Sequence, residues 1–322
     1  MTAVTARAHP NIALVKYWGK RDESLMLPAT GSLSLTLDAY ATTTTVTTTP
    51  DAGDDRFELN GEAASGERLR RVTRFLDLVR AQAGSTTRAA VVSRNEGPTA
   101  AGLASSASGF AALATAASVA YGLPTTPREL SRLARRGSGS AARSIVPGVS
   151  VWHAGSDEQS FAEQVPAPDL RMVIVFVDER QKAVSSREAM RRTALTSPFH
   201  AAWITSTEQS LAAMITACAD GDFTRIGRIT ESNALRMHAV IQSADPPIRY
   251  LSAQSVAVFD AVAALRDAGT EAYATADAGA NVVVLTRPGD ADAVAASLAT
   301  LGTTAVVGPG PGAAIIAAEE LP

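Results

Sequence analysis

Alternating polar and apolar residues predict strands in the first hundred residues. Residues 33–49 alternate and are rich in threonine and valine, and residues 88–93 follow the same pattern. β-Branched side chains pack well on a pleated surface, so the threonine run indicates a sheet rather than a low-complexity segment. We expect strands in both segments.

The pattern then becomes helical. Residues 109–122 are rich in alanine and lack β-branched runs, which predicts a tightly packed helix that begins in the serine- and glycine-rich segment before it. A second helix is predicted after Thr126, because this threonine cap, Pro127 at the first helical position and Glu129 three residues after the cap form a capping box. It should end at Gly137.

The second half of the chain mixes strands and helices. The apolar run 171–178 predicts a buried strand, and two short strands joined by a glycine-containing turn over 272–286 predict a hairpin. Long helices are predicted from Ser197 and from about Ser255 to Gly269. The sequence shows no internal repeat, which favours an α+β fold in two unlike halves.

Length and composition are those of an ordinary globular chain. A chain of 322 residues with 46% hydrophobic residues is long enough for two domains, and we place their boundary near residue 168, giving domains 1–168 and 169–322. Lys and Arg number 29 and Asp and Glu 32, so the net charge of −3 provides no overall field for nucleic acid or an anionic membrane.

Targeting and metal-binding signals are weak. The apolar runs fall short of the roughly 20 residues that span a bilayer, and the N-terminus has no signal-peptide core. Cys218 is the one cysteine of the sequence, which excludes an intrachain disulfide and fits a reducing cytoplasm. His9, His153 and His200 are isolated, so a metal site built on histidine is not expected.

Small residues at a predicted helix start point to anion binding. Residues 98–113 place Gly, Ala and Ser where unpaired backbone N–H groups and the helix dipole can hold a phosphate. The alternative is close helix packing through small side chains. The segment is not a Walker A loop, because no lysine follows Gly109.

Several blocks together resemble a known family. Residues 98–109, PTAAGLASSASG, resemble the phosphate loop of the GHMP kinase superfamily. Their sequence is more similar still to that of the diphosphomevalonate decarboxylase family. Four further blocks agree with that family in order and spacing: NIALVKYWGKRD (11–22), GSGSAARS (137–144), SSREAM (185–190) with SNALRMHA (232–239), and DAGAN (277–281). The resemblance covers nearly the whole chain.

The resemblance implies a fold and a reaction. The fold would be the two-domain α+β GHMP kinase fold, with an N-terminal half like ribosomal protein S5 domain 2 and a ferredoxin-like C-terminal half. The reaction would be ATP-dependent decarboxylation of (R)-5-diphosphomevalonate to isopentenyl diphosphate, with ATP and Mg²⁺ required. Relatives are often homodimers, so the resemblance also suggests a homodimer.

The resemblance assigns three catalytic residues. Asp277 would be the base that deprotonates the 3-hydroxyl, although an ordinary turn-forming aspartate is the alternative. Lys16 lies in an apolar strand and would keep that carboxylate ionised. Arg143 would grip the substrate carboxylate, a task that suits a planar guanidinium.

The resemblance also assigns the binding residues. Those expected to contact substrate, besides Arg143, are Tyr17, Trp18, Gly19, Lys20, Arg68, Ser138, Gly139, Ser140, Ala141, Ala142, Ser186 and Arg187. Arg68 has a second interpretation as part of a solvated helix face. Those expected to bind ATP are Gly102, Leu103, Ala104, Ser105 and Ser106, with Ser106 also meeting Mg²⁺ through the phosphates.

Some residues and some alternatives stay open. Asn233, Arg236 and His238 match the family, but helix packing explains them equally well, and we assign them no catalytic role. Rival functions are a decarboxylase of 5-phosphomevalonate, a mevalonate kinase, and an inactive binding protein that keeps the fold. The predicted catalytic trio argues against a plain kinase, which needs no carboxylate grip, and no charged catalytic group is missing.

Overall fold

The fold is described from a computed structural model, which covers residues 2–97, 105–178 and 183–317. Its strands, in chain order, are β1 Ala3–Ala8, β2 Asn11–Val15, β3 Lys20–Asp22, β4 Leu27–Pro28, β5 Ser32–Thr36, β6 Thr42–Thr49, β7 Arg56–Leu59, β8 Glu62–Ala63, β9 Arg88–Asn95, β10 Val149–Trp152, β11 Ala162–Gln164, β12 Arg171–Phe176, β13 Ala272–Thr275, β14 Val282–Thr286, β15 Thr303–Val307 and β16 Ala314–Ile315. Its helices are α1 Gly66–Ala83, α2 Ser105–Ala120, α3 Pro127–Gly137, α4 Ala141–Ser144, α5 Ser186–Thr196, α6 His200–Ala219, α7 Phe223–Gln242, α8 Ala253–Asp267 and α9 Ala291–Leu298.

The strands form two sheets in the first half of the chain and one in the second. The first sheet has the order β16-β1-β6-β9-β7-β8, the second β11-β10-β5-β2, and the third β13-β14-β12-β15, while β3 and β4 pair as a small ribbon. All of these pairings are antiparallel except that of β7 with β9. The fold is therefore α+β, and its two halves contain different sheets, as the sequence predicts.

The threonine-rich segment is two strands rather than one. The prediction of strand over 33–49 is correct for β5 and β6, but the residues between them leave the second sheet and enter the first. On β6 the inward threonines form hydroxyl pairs, with Thr42 Oγ1 2.7 Å from Ser108 Oγ and Thr44 Oγ1 2.8 Å from Ser93 Oγ. These hydrogen bonds satisfy the hydroxyl groups of threonines that the alternating pattern places in the core.

Helix α2, which begins within the candidate phosphate-binding segment, packs through small residues. Along α2, Ala107, Ala111, Ala114 and Ala117 are fully buried against the first sheet and its neighbouring helices. The following helix α3 begins as predicted: the Thr126 side chain accepts from the Glu129 backbone N–H, and the helix ends at Gly137. Both helices thereby fix the start of the loop at residues 138–140, which leads into α4.

The predicted helices of the second half differ slightly at their ends. The helix expected to begin at Ser197 begins at His200, because residues 197–199 form the turn that separates α5 from α6. The predicted hairpin is confirmed as β13 and β14, paired from Ala272 with Thr286 to Thr275 with Val283.

The end of the described chain returns to the first half. Strand β16 pairs with β1, and Gly310 passes so close to the Leu37 carbonyl oxygen that a Cβ there would lie 1.8 Å from it. The boundary near residue 168 stays a prediction about folding units, since these contacts join the two halves. Within the described ranges, no helix has the length and apolar character needed to cross a membrane.

Candidate active site

A cleft of about 220 Å³ lies between the two halves of the molecule. It collects most of the residues that the sequence assigns to catalysis and substrate binding: Lys16, Tyr17, Trp18, Lys20, Ser106, Ser138, Gly139, Ser140, Arg143, Ser186, Arg187 and Asp277. The ends of β2 and β13, the start of α2, the α3–α4 loop and the start of α5 supply them. Segments distant in sequence thus meet at one cavity.

Lys16 and Asp277 form an ion pair at the floor of the cleft. Lys16 follows β2, is 1% exposed, and its Nζ donates to Asp277 Oδ1 at 2.6 Å. Burial lowers the pKa of Lys16, the Asp277 carboxylate opposes this, and Arg143 adds to the lowering. The pair therefore joins a desolvated cation to a carboxylate whose side chain is 39% exposed toward solvent.

Asp277 owes its place to the hairpin. It follows β13 in the turn before β14, and its carbonyl accepts from the Gly279 N–H at 2.8 Å. The turn lifts the carboxylate beyond the end of the sheet and into the cleft. An aspartate that only stabilises the turn would give the same sequence pattern. The buried Lys16, whose Nζ lies 2.6 Å from Asp277 Oδ1, gives the carboxylate a specific partner.

Arg143 is held by three neutral partners from two strands, β2 and β5. Its Nε donates to Ser34 Oγ at 2.8 Å and to Asn11 Oδ1 at 3.2 Å, and its Nη1 donates to Ser32 Oγ at 2.6 Å. The residue is 2% exposed, and burial lowers its pKa to about 10, with Asp277 opposing the shift. The guanidinium thus stays charged at neutral pH and is fixed in orientation.

Asn11 links β2 to the α3–α4 loop and to helix α4, which carries Arg143. Its Nδ2 donates to Ser140 O at 3.0 Å and to Ser144 Oγ at 2.8 Å, while its Oδ1 accepts from Arg143. The side chain is 2% exposed and all of its oxygen and nitrogen atoms are engaged. Sequence reasoning missed this residue, although it lies in the same block as Lys16.

The α3–α4 loop depends on a glycine at its centre. A Cβ on Gly139 would lie 2.8 Å from the hydroxyl and ring of Tyr17, so a larger residue would displace that ring. The Tyr17 ring also packs edge-on against Trp152, with centroids 4.8 Å apart. Among the described residues the Tyr17 hydroxyl has no hydrogen-bond partner, although it is buried and lies at the cleft. It is free to bind a ligand.

Three cations gather at the outer end of the cleft. Lys20 and Arg71 are half-buried and Arg187 is exposed. Burial lowers the pKa of Lys20, and Arg187 and Arg71 lower it further. Burial likewise lowers the pKa of Arg71 to about 10, with Arg187 the next cause. The three positive charges repel one another, so this end of the cleft is suited to a multiply charged anion.

Not every predicted residue reaches the cleft. Arg68 is exposed on α1 and does not line the cavity; Arg71, one turn later, does, with its Nη2 donating to Gly137 O at 2.9 Å. Positions three residues apart share a helix face, so the difference is one of position along α1: Arg71 lies over the Phe110 ring, 4.5 Å from its centroid, whereas Arg68 stays exposed in the first turn. Ala141 and Ala142 are fully buried beneath the loop and make no part of the cavity wall.

Gly19 lies in the loop between β2 and β3 and packs against residues outside the cleft. Its φ of 122° lies in the region that favours glycine, and a Cβ would come within 3.2 Å of His200 Nε2 and 3.3 Å of Ala29. The neighbouring Trp18 is 3% exposed, and its carbonyl accepts from Trp203 Nε1 at 2.9 Å. This packing fixes the backbone between Lys16 and Lys20.

The candidate nucleotide segment is described in part. Gly102, Leu103 and Ala104 lie outside the described residues, and Ser105 is the first residue of α2. Ser106 is exposed, lines the cleft, and has its Oγ 3.3 Å from Ser138 Oγ. An exposed hydroxyl in the first turn of a helix suits contact with phosphate oxygens or their cation. Among the described residues, no cluster of three acidic, His or Cys side chains forms a metal site by itself.

A larger cavity, of about 740 Å³, lies on the outer face of α7 and α8. Its most buried charges are already paired, since Arg266 donates to both carboxylate oxygens of Glu231 at 2.7 and 2.9 Å. It contains none of the residues that the sequence singles out for chemistry. The smaller cleft, with the ion pair of the buried Lys16 and its convergent cations, is therefore the candidate active site.

Both halves of the chain match family models. Residues 8–162 match the diphosphomevalonate decarboxylase-like N-terminal domain, and residues 172–306 match the mevalonate 5-diphosphate decarboxylase C-terminal domain. The chain is 38% identical over 310 residues to the diphosphomevalonate decarboxylase of Ganoderma lucidum, covering 88% of this chain and 78% of that protein. The human diphosphomevalonate decarboxylase is 37% identical over 313 residues, covering 89% and 77%.

Solved structures agree over almost the whole chain. The mevalonate diphosphate decarboxylases of Enterococcus faecalis and Staphylococcus aureus give TM-scores of 0.92 and 0.94 at 44% and 41% identity, with 98% of each chain covered. MDDEF in complex with MVAPP, AMPPCP and magnesium gives 0.94 at 45% identity, also with 98% of each chain covered.

The two unlike α+β halves and the cleft between them define the two-domain GHMP kinase-type fold. Within that class, the chain belongs to the diphosphomevalonate decarboxylase family.

Proposed function

We propose that the cleft carries out ATP-dependent decarboxylation of (R)-5-diphosphomevalonate, which yields isopentenyl diphosphate, ADP, phosphate and CO₂ in the mevalonate pathway. The observation that supports it most strongly is the pairing of the buried Lys16 with Asp277 beside the buried Arg143, in a cleft whose other end gathers Lys20, Arg71 and Arg187. A substrate with a carboxylate, a hydroxyl and a diphosphate finds a matching group for each part.

Asp277 serves as the base in the first step. Its carboxylate accepts the proton of the 3-hydroxyl as that oxygen bonds to the γ-phosphorus of ATP and ADP leaves. General-base catalysis of this kind contributes typically ~10²–10⁴-fold. The Lys16 ammonium, 2.6 Å from Asp277 Oδ1, holds the carboxylate in place and offsets negative charge during phosphoryl transfer.

Arg143 acts in the second step. Phosphate leaves C3 with the C–O electron pair, the C1–C2 bond breaks to release CO₂, and its electrons form the C2–C3 double bond. The hydrogen bonds to Ser32, Ser34 and Asn11 engage Nε and one N–H of Nη1. The three N–H groups that remain of the five in a guanidinium can grip the substrate carboxylate end-on and keep the breaking bond aligned.

The outer cations bind the diphosphate. Lys20 and Arg187 supply charge-assisted hydrogen bonds, and Arg71 takes the part that the sequence gives to Arg68. The remaining contacts come from the Tyr17 hydroxyl, from Ser186, and from the loop around Gly139, with Trp18 and Gly19 shaping the wall.

ATP binds at the start of α2. Ser105 and Ser106, with Gly102, Leu103 and Ala104, are assigned to its phosphates, and the Ser106 hydroxyl is the described group placed to meet Mg²⁺. When bound, Mg²⁺ neutralises charge on the β- and γ-phosphates. The complex of a similar protein, MDDEF, with MVAPP, AMPPCP and magnesium supports the use of ATP and Mg²⁺.

A comparison of three substrates tests the function. ATP consumption and CO₂ release are measured with mevalonate, its 5-phosphate and its 5-diphosphate in parallel. The proposal expects stoichiometric CO₂ and ADP from the 5-diphosphate and little of either from the other two. ADP formation without CO₂ would indicate a kinase, and equal turnover of the 5-phosphate would contradict a diphosphate-specific outer site.

We also propose that the enzyme is a cytoplasmic homodimer. Family membership supports the dimer. Cys218 is buried and is the one cysteine of the sequence, so it forms no intrachain disulfide, which suits a reducing compartment. Light scattering on the eluting protein should give twice the 33.3 kDa chain mass, and a single-chain mass would contradict the dimer.

A further inference from the structure

Helix α7 runs behind the catalytic ion pair and contacts both of its segments. Asn233 is fully buried on this helix, and its Oδ1 accepts from the Lys16 backbone N–H at 2.8 Å. Its Nδ2 in turn donates to Thr207 Oγ1 on α6 at 3.4 Å. The amide therefore ties the end of β2, where Lys16 lies, to two helices of the other half of the chain.

His238 makes the corresponding contact with the hairpin. It is 1% exposed, and its Nε2 lies 3.2 Å from Ala276 O, directly before Asp277. A carbonyl oxygen only accepts, so Nε2 carries the proton in this bond. Burial lowers the pKa of His238 to about 4, which keeps the imidazole neutral at physiological pH. Helix α7 thus holds the backbone on the carboxylate side as well.

The two contacts are five residues apart on one helix, about 7.5 Å along its axis. Lys16 and Asp277 are themselves 261 residues apart in sequence, and their short ion pair joins different halves of the molecule. An ion pair with one desolvated partner is weak evidence of stability, because burial offsets much of the attraction. A rigid helix that binds both backbones supplies a fixed separation that the pair alone does not.

We propose that Asn233 and His238 are positioning residues, which hold the backbones of Lys16 and Asp277 at the separation needed for proton transfer from the 3-hydroxyl. The proposal rests on the proposed function for its kinetic readout. Neither side chain lines the cleft, so both act through the catalytic pair rather than by touching substrate.

The first test is a double-mutant cycle. Asn233→Ala should lower kcat by about 10²-fold, the loss expected for a misplacement of about 1 Å, with the KM for 5-diphosphomevalonate nearly unchanged. In a Lys16→Met background the same substitution should lower the residual rate less than about twofold, because the residue it positions is already gone. Equal losses in both backgrounds would overturn the proposal, since they would indicate a general structural defect.

A matched control comes from the same helix. Ile226 is fully buried on α7, and its aliphatic side chain cannot hydrogen-bond to the backbone of Lys16 or Ala276. Ile226→Ala should therefore lower stability while leaving the ratio of kcat to KM nearly unchanged. If Ile226→Ala lost as much turnover as Asn233→Ala at matched fraction folded, the positioning role would be wrong.

Conservative rescue tests His238. His238→Gln keeps an amide N–H near the Nε2 position and should recover most of the turnover that His238→Leu loses. Equal activity of the Gln and Leu variants would exclude the hydrogen bond to Ala276 as the cause.

A crystal structure separates this proposal from the proposed function. In Asn233→Ala, the Lys16 Nζ to Asp277 Oδ1 distance should lengthen beyond about 3.2 Å, the long end of an N–H···O bond. A distance unchanged from 2.6 Å would overturn the proposal, whatever substrate the enzyme uses. If the unaltered enzyme released no CO₂, the proposed function would be wrong. The distance test would still apply, because it does not depend on the substrate.

Discussion

The two ends of the cleft carry similar charge but differ in how that charge is held. At the inner end Lys16 and Arg143 are 1% and 2% exposed, and both side chains are oriented by hydrogen bonds that they donate to Asp277 and Ser34. At the outer end Lys20 and Arg71 are half-buried, Arg187 is exposed, and these three cations disfavour one another. The inner cations are held by the fold, whereas the outer cations form no salt bridge among the described residues and are available to an anion.

This difference assigns different energetic roles to the two ends. Groups already oriented before substrate binds need little reorganisation in the transition state, so their loss should lower kcat. Groups that bind a non-reacting diphosphate stabilise substrate and transition state alike, so their loss should raise KM. Substitutions at the two ends should therefore separate in the kinetic parameter that they change.

The largest effect is expected at Asp277. Asp277→Asn keeps the shape of the side chain and removes the base, so kcat for CO₂ release should fall by about 10³-fold. Steady-state assay gives kcat, and calorimetry should show ATP binding nearly unchanged. A variant that keeps more than about a tenth of the original turnover would contradict base catalysis by Asp277.

The next effect is expected at Arg143. Arg143→Ala removes the carboxylate grip and leaves Ser32, Ser34 and Asn11 without their charged partner, so CO₂ release should fall by about 10²-fold or more. KM for 5-diphosphomevalonate should rise much less than kcat falls. A change confined to KM would move Arg143 from the reaction step to simple binding.

A smaller effect is expected at the outer end. Charge-assisted contacts to phosphate contribute roughly 1.5–3 kcal/mol each, so Arg187→Ala and Arg71→Ala should each raise the KM for substrate about tenfold or more. Turnover at saturation should change little. Arg68→Ala is the control from the same helix as Arg71, since Arg68 is exposed and outside the cleft. An equal effect of Arg68→Ala and Arg71→Ala would contradict the assignment of Arg71.

The smallest effect concerns pH and the support of the inner end. The pKa of His238 is about 4 in the fold against 6.5 in a model peptide, so the unfolded chain binds a proton that the folded chain does not as pH falls below 6.5. The free energy of unfolding should drop by about 1 kcal/mol between pH 6.5 and 5.5 from this residue. Denaturation of His238→Gln should lack this part of the slope; an identical slope would contradict a neutral buried His238.

Local rules made much of the fold predictable. The cap at Thr126 and the hairpin of β13 and β14 depend on a few adjacent residues, and the structure confirms both. The split of 33–49 between two sheets depends on which distant strands pair with β5 and β6, and alternation alone carries no such information.

The site was predictable where chemistry lies in contiguous blocks. Lys16, Arg143 and Asp277 stand in such blocks, and the structure brings them together. Asn11 and Asn233 were not predictable as partners, because the hydrogen bonds that define their roles join residues 132 and 217 positions apart. The choice of Arg71 over Arg68 depends on which turn of α1 lies beside the cleft and Phe110, which the arginine-rich sequence leaves open.

The most direct test compares the same conservative change at both ends. Arg143→Lys and Arg187→Lys each keep a positive charge but lose the planar two-point fork. If the inner end acts through fixed geometry and the outer end mainly through charge, Arg143→Lys should lose nearly as much kcat as Arg143→Ala, whereas Arg187→Lys should keep turnover and most of its affinity. Near-original CO₂ release by Arg143→Lys, or equal losses of kcat in both variants, would contradict the account.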